Sequence, residues 1–393
     1  MQLGHEFLRA ARGSAELLSM RLLPFAFFGL LTSTTSRRWL MIGGGYLAFP
    51  LLASALGGLQ TILLLALGLT YYLLIGLGMN RLSDWMAVGR LTRGGAAVLI
   101  FGVFLLLPGL ALPGLASSTF LVVGCELALS SYSYCVETSR RGARCAPLGD
   151  CLFFLFVNPT IFYPARGAPV TESAQCTGWG RAAAGALVMF LNTAILRSLV
   201  KYLRHGGGSA QVPGGPIVAL LLSGAVSFLA FYAANSGLAS IQIGLMRQVG
   251  WIVPERYVYP LLSTSPMDFW RRWNTYIRAW LEGYVFLPLA RKIARRTKGP
   301  FGQVAAAMAT LVACGLIHDA YNYAGRQGLP DVATEFFLAA GLVLAVWRVA
   351  GHVRGKVQAR LSERDARRFE VLASQWSRLC LALAILAAAV TWG

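Results

Sequence analysis

The 393 residues carry 35 Lys and Arg against 16 Asp and Glu, a formal charge of +19, yet only 13% of positions are charged and 56% are hydrophobic. A soluble domain has about 25% charged residues. Together with a mean hydropathy of +0.59, 43 Gly, 10 Trp and 14 Tyr, this excludes a soluble enzyme, a disordered tail and a nucleic-acid-binding module. It predicts an all-α polytopic membrane protein whose basic excess sits in cytoplasmic loops against anionic headgroups.

Residues 1–21 place Arg9, Arg12 and Arg21 among apolar positions without the charged start, apolar centre and small-residue cleavage site of a signal peptide, and predict an amphipathic interfacial helix. A spanning helix needs about 20 apolar residues. Runs of that kind fall at 39–57, 59–78, 95–113, 115–134, 149–165, 181–200, 216–240, 301–323, 333–350 and 376–392, with a shorter one at 22–35, so ten to eleven spans are expected.

With Arg37 and Arg38 cytoplasmic, span order puts Arg81, Arg90 and Arg93 on the same side, then Arg140, Arg141 and Arg144, then Lys201 and Arg204, each a basic loop as the positive-inside rule requires. The run Arg291 to Lys298 and the later Arg354, Lys356, Arg360, Arg364, Arg367 and Arg368 join them if 250–290 crosses back once. The segment 205–215 (HGGGSAQVPGG) is a flexible linker by composition, and 353–375 reads as a charged, amphipathic cytoplasmic helix. No repeat of fixed period is present, and 1–393 is read as a single membrane-embedded domain. Cys125, Cys135, Cys145, Cys151, Cys176, Cys314 and Cys380 are scattered without a C-x-x-C pair and read as small membrane-core residues, with no metal site.

Two stretches break the apolar pattern, and polar groups in a membrane segment cost several kcal/mol unless they serve a purpose. The first, 265–292, sets Asp268, Arg271, Arg272, Asn274, Arg278 and Glu282 among Trp270, Trp273, Trp280, Tyr284 and Phe286. At helical spacing Trp270, Trp273, Asn274, Ile277, Leu281 and Tyr284 share one face, with Asp268, Arg271, Arg272 and Arg278 largely off it. Such a segment either lines a water-accessible cavity or lies at the interface as an aromatic-belted helix. In the second, 311–323, His318 and Asp319 follow an apolar helical run. A histidine there is a candidate proton acceptor, since its pKa near 6.5 lets it take a proton at neutral pH; the plainer role is a hydrogen bond to a neighbouring helix. His5, His205 and His352 fall in loops or interfacial stretches.

Together these residues resemble the membrane-bound O-acyltransferase superfamily, whose hallmark is an aromatic-basic F-W-R-x-W-[N/H] segment followed tens of residues later by a His in an apolar helix. Here it reads Phe269-Trp270-Arg271-Arg272-Trp273-Asn274, with His318 44 positions beyond Asn274. The onset S-P-x-x-F-W-R-R-W and the following W-L-x-x-Y-V-F-x-P-L are similar to bacterial members that acylate polysaccharides or cell-wall polymers. SYSYCVE (131–137) and LGDCLFFLFVNPTIFYPARG (148–167) resemble the family's earlier helix and its F-P-x-x-x-x-G-P-like stretch. The resemblance covers about 120–325, the core of the expected domain. Two positions depart from the pattern: many bacterial polysaccharide-modifying members have His where Asn274 stands, and Ile317 replaces a frequent Trp before His318.

The resemblance implies re-entrant or interfacial helices around a central tunnel in which an acyl group passes from a cytoplasmic thioester, acyl-CoA or an acyl carrier, to a hydroxyl of an envelope glycan, polymer or lipid. Such transfer needs a base, an oxyanion donor and a dry site. It makes His318 the general base and Asn274 the group that positions the acceptor or steadies the oxyanion. Trp270, Arg271, Trp273, Arg278, Trp280 and Tyr284 become substrate-binding candidates. Asn158 and Tyr163 are tunnel-wall candidates or, as the plainer alternative, helix–helix hydrogen bonders. The run Arg291 to Lys298 either meets the donor's phosphates or only marks the cytoplasmic side. No bound cofactor is implied; the expected partners are the bilayer, the thioester donor, the hydroxyl acceptor and an acyl carrier or periplasmic protein. Two rival expectations stand beside this: a lipid or small apolar alcohol as acceptor, and a non-catalytic transporter or scaffold that passes acyl groups. Ala-, Gly- and Arg-rich usage suggests a bacterial inner membrane.

Overall fold

The computed structural model describes residues 70, 74, 77–106, 114–140, 151, 154–155, 172–205, 215–248, 253–295, 300–326, 332–360 and 362–392. The expected interfacial helix 1–21, the spans 22–35, 39–57 and nearly all of 59–78 and 149–165, and the linker glycines 206–208 lie outside them. Every regular element among the described residues is helical, as the Ala- and Leu-rich apolar runs require when each backbone N–H and C=O must find its partner without water. Two compact units result.

The first unit gathers the described residues up to 183 with 241–254 and 320–326. It contains a helical stretch at 77–87, α1 (Arg93–Phe101), which runs into a π-helical turn at Gly102–Leu106, and α2 (Gly114–Arg140). Thr92 caps α1 by accepting from the Gly95 N–H at 3.1 Å. The core joins Met79, Ile100, Phe104, Leu127, Tyr134, Cys135, Cys151 and Phe154. A polar tie across it is the Tyr134 hydroxyl donating to Asn80 Oδ1 at 2.6 Å. Gly124 lets α2 touch the π turn, since a Cβ there would stand 2.4 Å from the Phe104 carbonyl oxygen. Cys125, Cys135, Cys151 and Cys314 are buried.

The second unit takes 184–240, 255–319 and 332–392. Helix α3 (Glu172–Leu191) continues through a π turn at Asn192–Leu196 into α4 (Arg197–His205), and α5 spans Gly215–Gln248. The chain then breaks up into a 3-10 turn at Pro260–Leu262, α6 (Pro266–Arg272), α7 (Thr275–Leu281), a π turn at Glu282–Phe286 and α8 (Leu287–Ala294). Three long helices close the unit: α9 (Pro300–Arg326), α10 (Val332–Gln358) and α11 (Glu363–Trp392). The charged stretch 353–375 is therefore not a helix of its own. Its first residues complete α10, a turn intervenes at 359–360, and the rest opens α11 in one piece with the apolar run 376–392.

Among the described residues, four helical stretches are long and apolar enough to cross a bilayer: Thr177–Leu203, Leu221–Arg247, Gly302–Asp319 and Thr334–Gly351. Phe190, Leu229, Leu316 and Val346 on them are exposed, an inverted pattern that suits contact with lipid rather than water. The chain is an all-α, multi-pass membrane protein.

Helices α9 and α10 come close at two glycines, and the contacts differ in kind. A Cβ on Gly315 would lie 2.6 Å from the Thr334 Cα, whereas one on Gly341 would meet the Met308 Sδ at 2.8 Å. Backbone cannot yield as a thioether can. Gly315→Ala is expected to cost about 1–3 kcal/mol and Gly341→Ala clearly less, read as the difference in thermal unfolding midpoint of the two variants in one detergent.

Candidate active site

The polar segment 265–292 is not the continuous helix that its spacing predicts. Ser265 caps α6, its Oγ accepting from the Asp268 N–H at 3.2 Å, and Pro266 follows at the first helical position, where no intrahelical N–H bond is forgone. Asp268 reaches back to accept from the Thr264 N–H at 3.2 Å and from Arg272 Nε at 2.9 Å. Burial alone would raise its carboxyl; the bonds from Arg272 and Thr264 overcome that and hold it below the usual carboxylate range.

The helix stops at Trp273, whose ψ of 131° is extended, and Asn274 takes the left-handed conformation with φ 33° and ψ 65°. Asparagine enters that region more readily than other residues with a Cβ. The break strands backbone groups that a membrane protein cannot leave unpaired. The extended segment 255–258 receives them: the Val258 N–H donates to the Arg272 carbonyl at 3.0 Å, and the Thr275 N–H donates to the Arg256 carbonyl at 2.8 Å. The Thr275 hydroxyl adds a bond to the Glu255 carbonyl. An aromatic nest fixes Trp273, which stacks on Phe269 at 5.3 Å and Phe228 at 5.6 Å and meets the edge of Tyr257 at 5.2 Å.

The second motif faces the first. On α9 the His318 Nδ1 lies 2.8 Å from the Cys314 carbonyl oxygen. A carbonyl only accepts, so in the neutral ring Nδ1 carries the proton and Nε2 keeps its lone pair. The same bond explains why Cys314, with Sγ 3.7 Å from Nδ1, gains no base from this histidine. Asp319 points elsewhere, as the roughly 100° between neighbouring helix positions demands: its buried carboxylate accepts from the Thr334 N–H at 2.9 Å and from the Thr334 hydroxyl. That clamp seats the first turn of α10, one turn before Phe337. The Phe337 ring packs on His318 at 4.9 Å and on Trp270 at 5.7 Å, an aromatic bridge from the F-W-R-R-W-N motif to the histidine.

Between these elements lies a cavity of about 590 Å³, within the range of small-molecule sites. Trp270, Arg271, Trp273, Asn274 and Arg278 line it from the broken segment, Cys314 and His318 from α9, and Phe337 and Gly341 from α10. Arg271 and Arg278 were expected off the face shared by Trp270 and Asn274, and both line the cavity; for Arg278 the reason is the break, since a single 3.6-residue period does not apply across 273–274, whereas Arg271 lies beside Trp270 on α6. Arg278 pairs with Glu282 at 2.6 Å on the cavity wall. Trp280 and Tyr284 pack on each other at 5.3 Å and are not among the lining residues. Arg291 and Lys292 are exposed near the end of α8, also off the wall, and the rest of that basic run from 296 lies outside the described residues, as do Asn158 and Tyr163. Among the described residues no three His, Cys, Asp or Glu side chains are grouped as metal ligands would be.

Two participants escaped the sequence. Arg256 donates from Nε to Asn274 Oδ1 at 3.3 Å, and the whole α10 wall, with Phe337, Leu344 and Arg348, was read only as a span. The small residues Gly341, Ala345 and Gly351 on that wall are the signal that sequence offered for it.

No protein-family model matches the chain. Among curated proteins it is 32% identical over 98 residues to "Probable alginate O-acetylase AlgI" of Pseudomonas putida, a match covering 25% of this chain and 19% of the relative. It is 34% identical over 92 residues to "Probable long-chain-alcohol O-fatty-acyltransferase 7" of Arabidopsis thaliana, covering 23% of this chain and 27% of that one. Both relatives are membrane-bound O-acyltransferases. The chain resembles that superfamily. The matched stretches span about a fifth to a quarter of these relatives' lengths, and the resemblance rests on them together with the two motifs that meet at the cavity.

The conformation of Asn274 separates its structural from its chemical part. Asn274→Gly keeps the left-handed turn without the amide, whereas Asn274→Ala also adds about 1 kcal/mol of backbone strain. The glycine variant is expected to unfold at or near the wild-type midpoint and the alanine variant below it.

Proposed function

We propose that this chain is an O-acyltransferase that moves an acyl group from a thioester to a hydroxyl, with His318 as general base and Asn274 as the donor facing the developing oxyanion. The observation that carries the reading is that a histidine with a free Nε2 and an asparagine amide held out of its helix line one cavity. In the reaction Nε2 takes the proton of the acceptor hydroxyl while its oxygen attacks the thioester carbonyl. The tetrahedral oxyanion accepts from the Asn274 amide, the C–S bond breaks, and the imidazolium returns the proton to the departing thiolate. Ester and free thiol leave, and His318 is neutral again. Nδ1–H on the Cys314 carbonyl holds the ring in one tautomer through the cycle. Phe337, Trp270 and Trp273 supply the dry wall that strengthens these contacts.

Acyl-CoA or an acyl carrier would present the thioester from the cytoplasmic side, with Arg271 and Arg278 at the wall as contacts for the polar part of either substrate. The first reading of the acceptor is a hydroxyl of an envelope glycan or polymer, supported by the alginate O-acetylase relatives and the bacterial-type S-P-x-x-F-W-R-R-W onset; a carrier or periplasmic partner and a bacterial inner membrane belong with it. The plant relatives and the asparagine at 274 support a second reading, a long-chain or lipid alcohol. The two part experimentally, because a lipid ester moves into an organic extract and a glycan ester stays with the envelope.

The test is thiol release by purified protein in nanodiscs across acyl-CoAs from acetyl to palmitoyl. His318→Ala is expected to lower turnover by about 10²–10⁴ and Asn274→Ala by about 10²–10³, both with the wild-type elution profile. Turnover retained by a folded His318→Ala protein would instead support an acyl-passing scaffold.

A further inference from the structure

We propose that Arg256 is a positioning residue for this reaction: its guanidinium decides which end of the Asn274 amide faces the cavity. The inference rests on the acyl-transfer reading for its chemistry, though not for its geometry.

An asparagine amide has an accepting and a donating end, and rotating it by half a turn exchanges them. Asn274 offers no other local anchor, since its side chain makes no capping bond to α7. Arg256 Nε stands 3.3 Å from Oδ1, and a guanidinium can only donate. The oxygen is thus committed to Arg256, and the two N–H bonds are left for the cavity that Asn274 lines. With the amide reversed, a carbonyl oxygen would meet the forming oxyanion and repel it. The cation on Oδ1 also draws electron density from the amide nitrogen, which sharpens its N–H as a donor.

Arg256 is itself held on both sides. Its carbonyl accepts from the Thr275 N–H at 2.8 Å, and its guanidinium lies 6.0 Å from the Tyr257 ring and 5.8 Å from the Tyr276 ring, Tyr276 being buried. Burial holds the Tyr257 phenol above its ordinary value despite the neighbouring cation, so the group beside Arg256 is a neutral ring. Arg256 is absent from the cavity wall and acts through Asn274. Any substitution leaves its backbone carbonyl in place, so replacing the side chain removes the guanidinium without removing the bond that fastens segment 255–258 to the helix break.

Two measurements test this together. The first is kcat and KM for thiol release by wild type, Arg256→Met, Asn274→Ala and the double variant. Arg256→Met is expected to lower kcat by about ten- to a hundredfold, the worth of a hydrogen bond to a charged group, with the donor KM changed less than about twofold. In the double variant the Arg256 substitution is expected to add no further loss, and Arg256→Lys to recover part of kcat. Multiplying losses in the double variant, or an unchanged kcat in folded Arg256→Met, would overturn the proposal. The second needs no turnover. In protein labelled only at asparagine side-chain nitrogen, six residues contribute, and the Asn274 signal is the one lost in Asn274→Ala. Arg256→Met is expected to shift that signal and leave the other five in place. A signal that shifts in Arg256→Met while the wild type releases no thiol would refute acyl transfer and leave the contact standing; an unmoved signal would refute the contact.

Discussion

A helix broken inside an apolar environment must find partners for the backbone groups it exposes, and the break at Trp273–Asn274 finds them in the extended segment 255–258. Two backbone bonds and one from the Thr275 hydroxyl replace the i to i−4 bonds that a continuous helix would make. The rest of the site depends on this exchange. It frees Asn274 from the helical surface, turns α7 against α6, and brings Arg256 within reach of the amide. The Ser265 cap, Pro266 and the Asp268–Arg272 pair fix where α6 begins, and the aromatic nest around Trp273 fixes where it ends. Each aromatic pair is worth about 0.5–1.5 kcal/mol beyond its buried area, enough in sum to hold the strained φ of one asparagine.

The facing half is set by a different device. Gly315 allows α9 and α10 to touch backbone to backbone at Thr334, and the Asp319 carboxylate ties the start of α10 at the same level. Phe337, one turn on, then comes to rest against His318. The imidazole is confined by its own helix through the Cys314 carbonyl and by α10 through Phe337, so its orientation is fixed before any ligand enters the cavity. Asp319 thus bears on the histidine through packing and not through a carboxylate–imidazole bond.

The sequence made the membrane class and the two motifs legible because both are written in composition: apolar runs of spanning length, and rare polar residues concentrated in 265–292 and 311–323. What it concealed was geometry that composition does not encode. The helical face drawn through Trp270, Asn274 and Tyr284 assumed one unbroken period, and the break falls where Asn274, a residue at ease in the left-handed region, happens to follow Trp273. Tyr284 consequently packs on Trp280 away from the cavity wall, while Arg271 and Arg278 join it. Arg256 was invisible because it sits in a short non-helical stretch, ERYVY (255–259), with no periodicity of its own. Its role comes from a contact 18 positions away.

Under the proposed acyl-transfer reading the thioester binds in the cavity that joins His318, Asn274 and Phe337. Cys314 offers a direct probe, since it lines that cavity beside His318. The measurement is the rate at which a small thiol reagent modifies Cys314, followed by site-resolved mass spectrometry with and without a saturating acyl thioester. Slower modification of Cys314, with the rates at cysteines outside the cavity unchanged, is the result this account predicts. Continued turnover of the thioester with an unchanged rate at Cys314 would place the reaction elsewhere and contradict it.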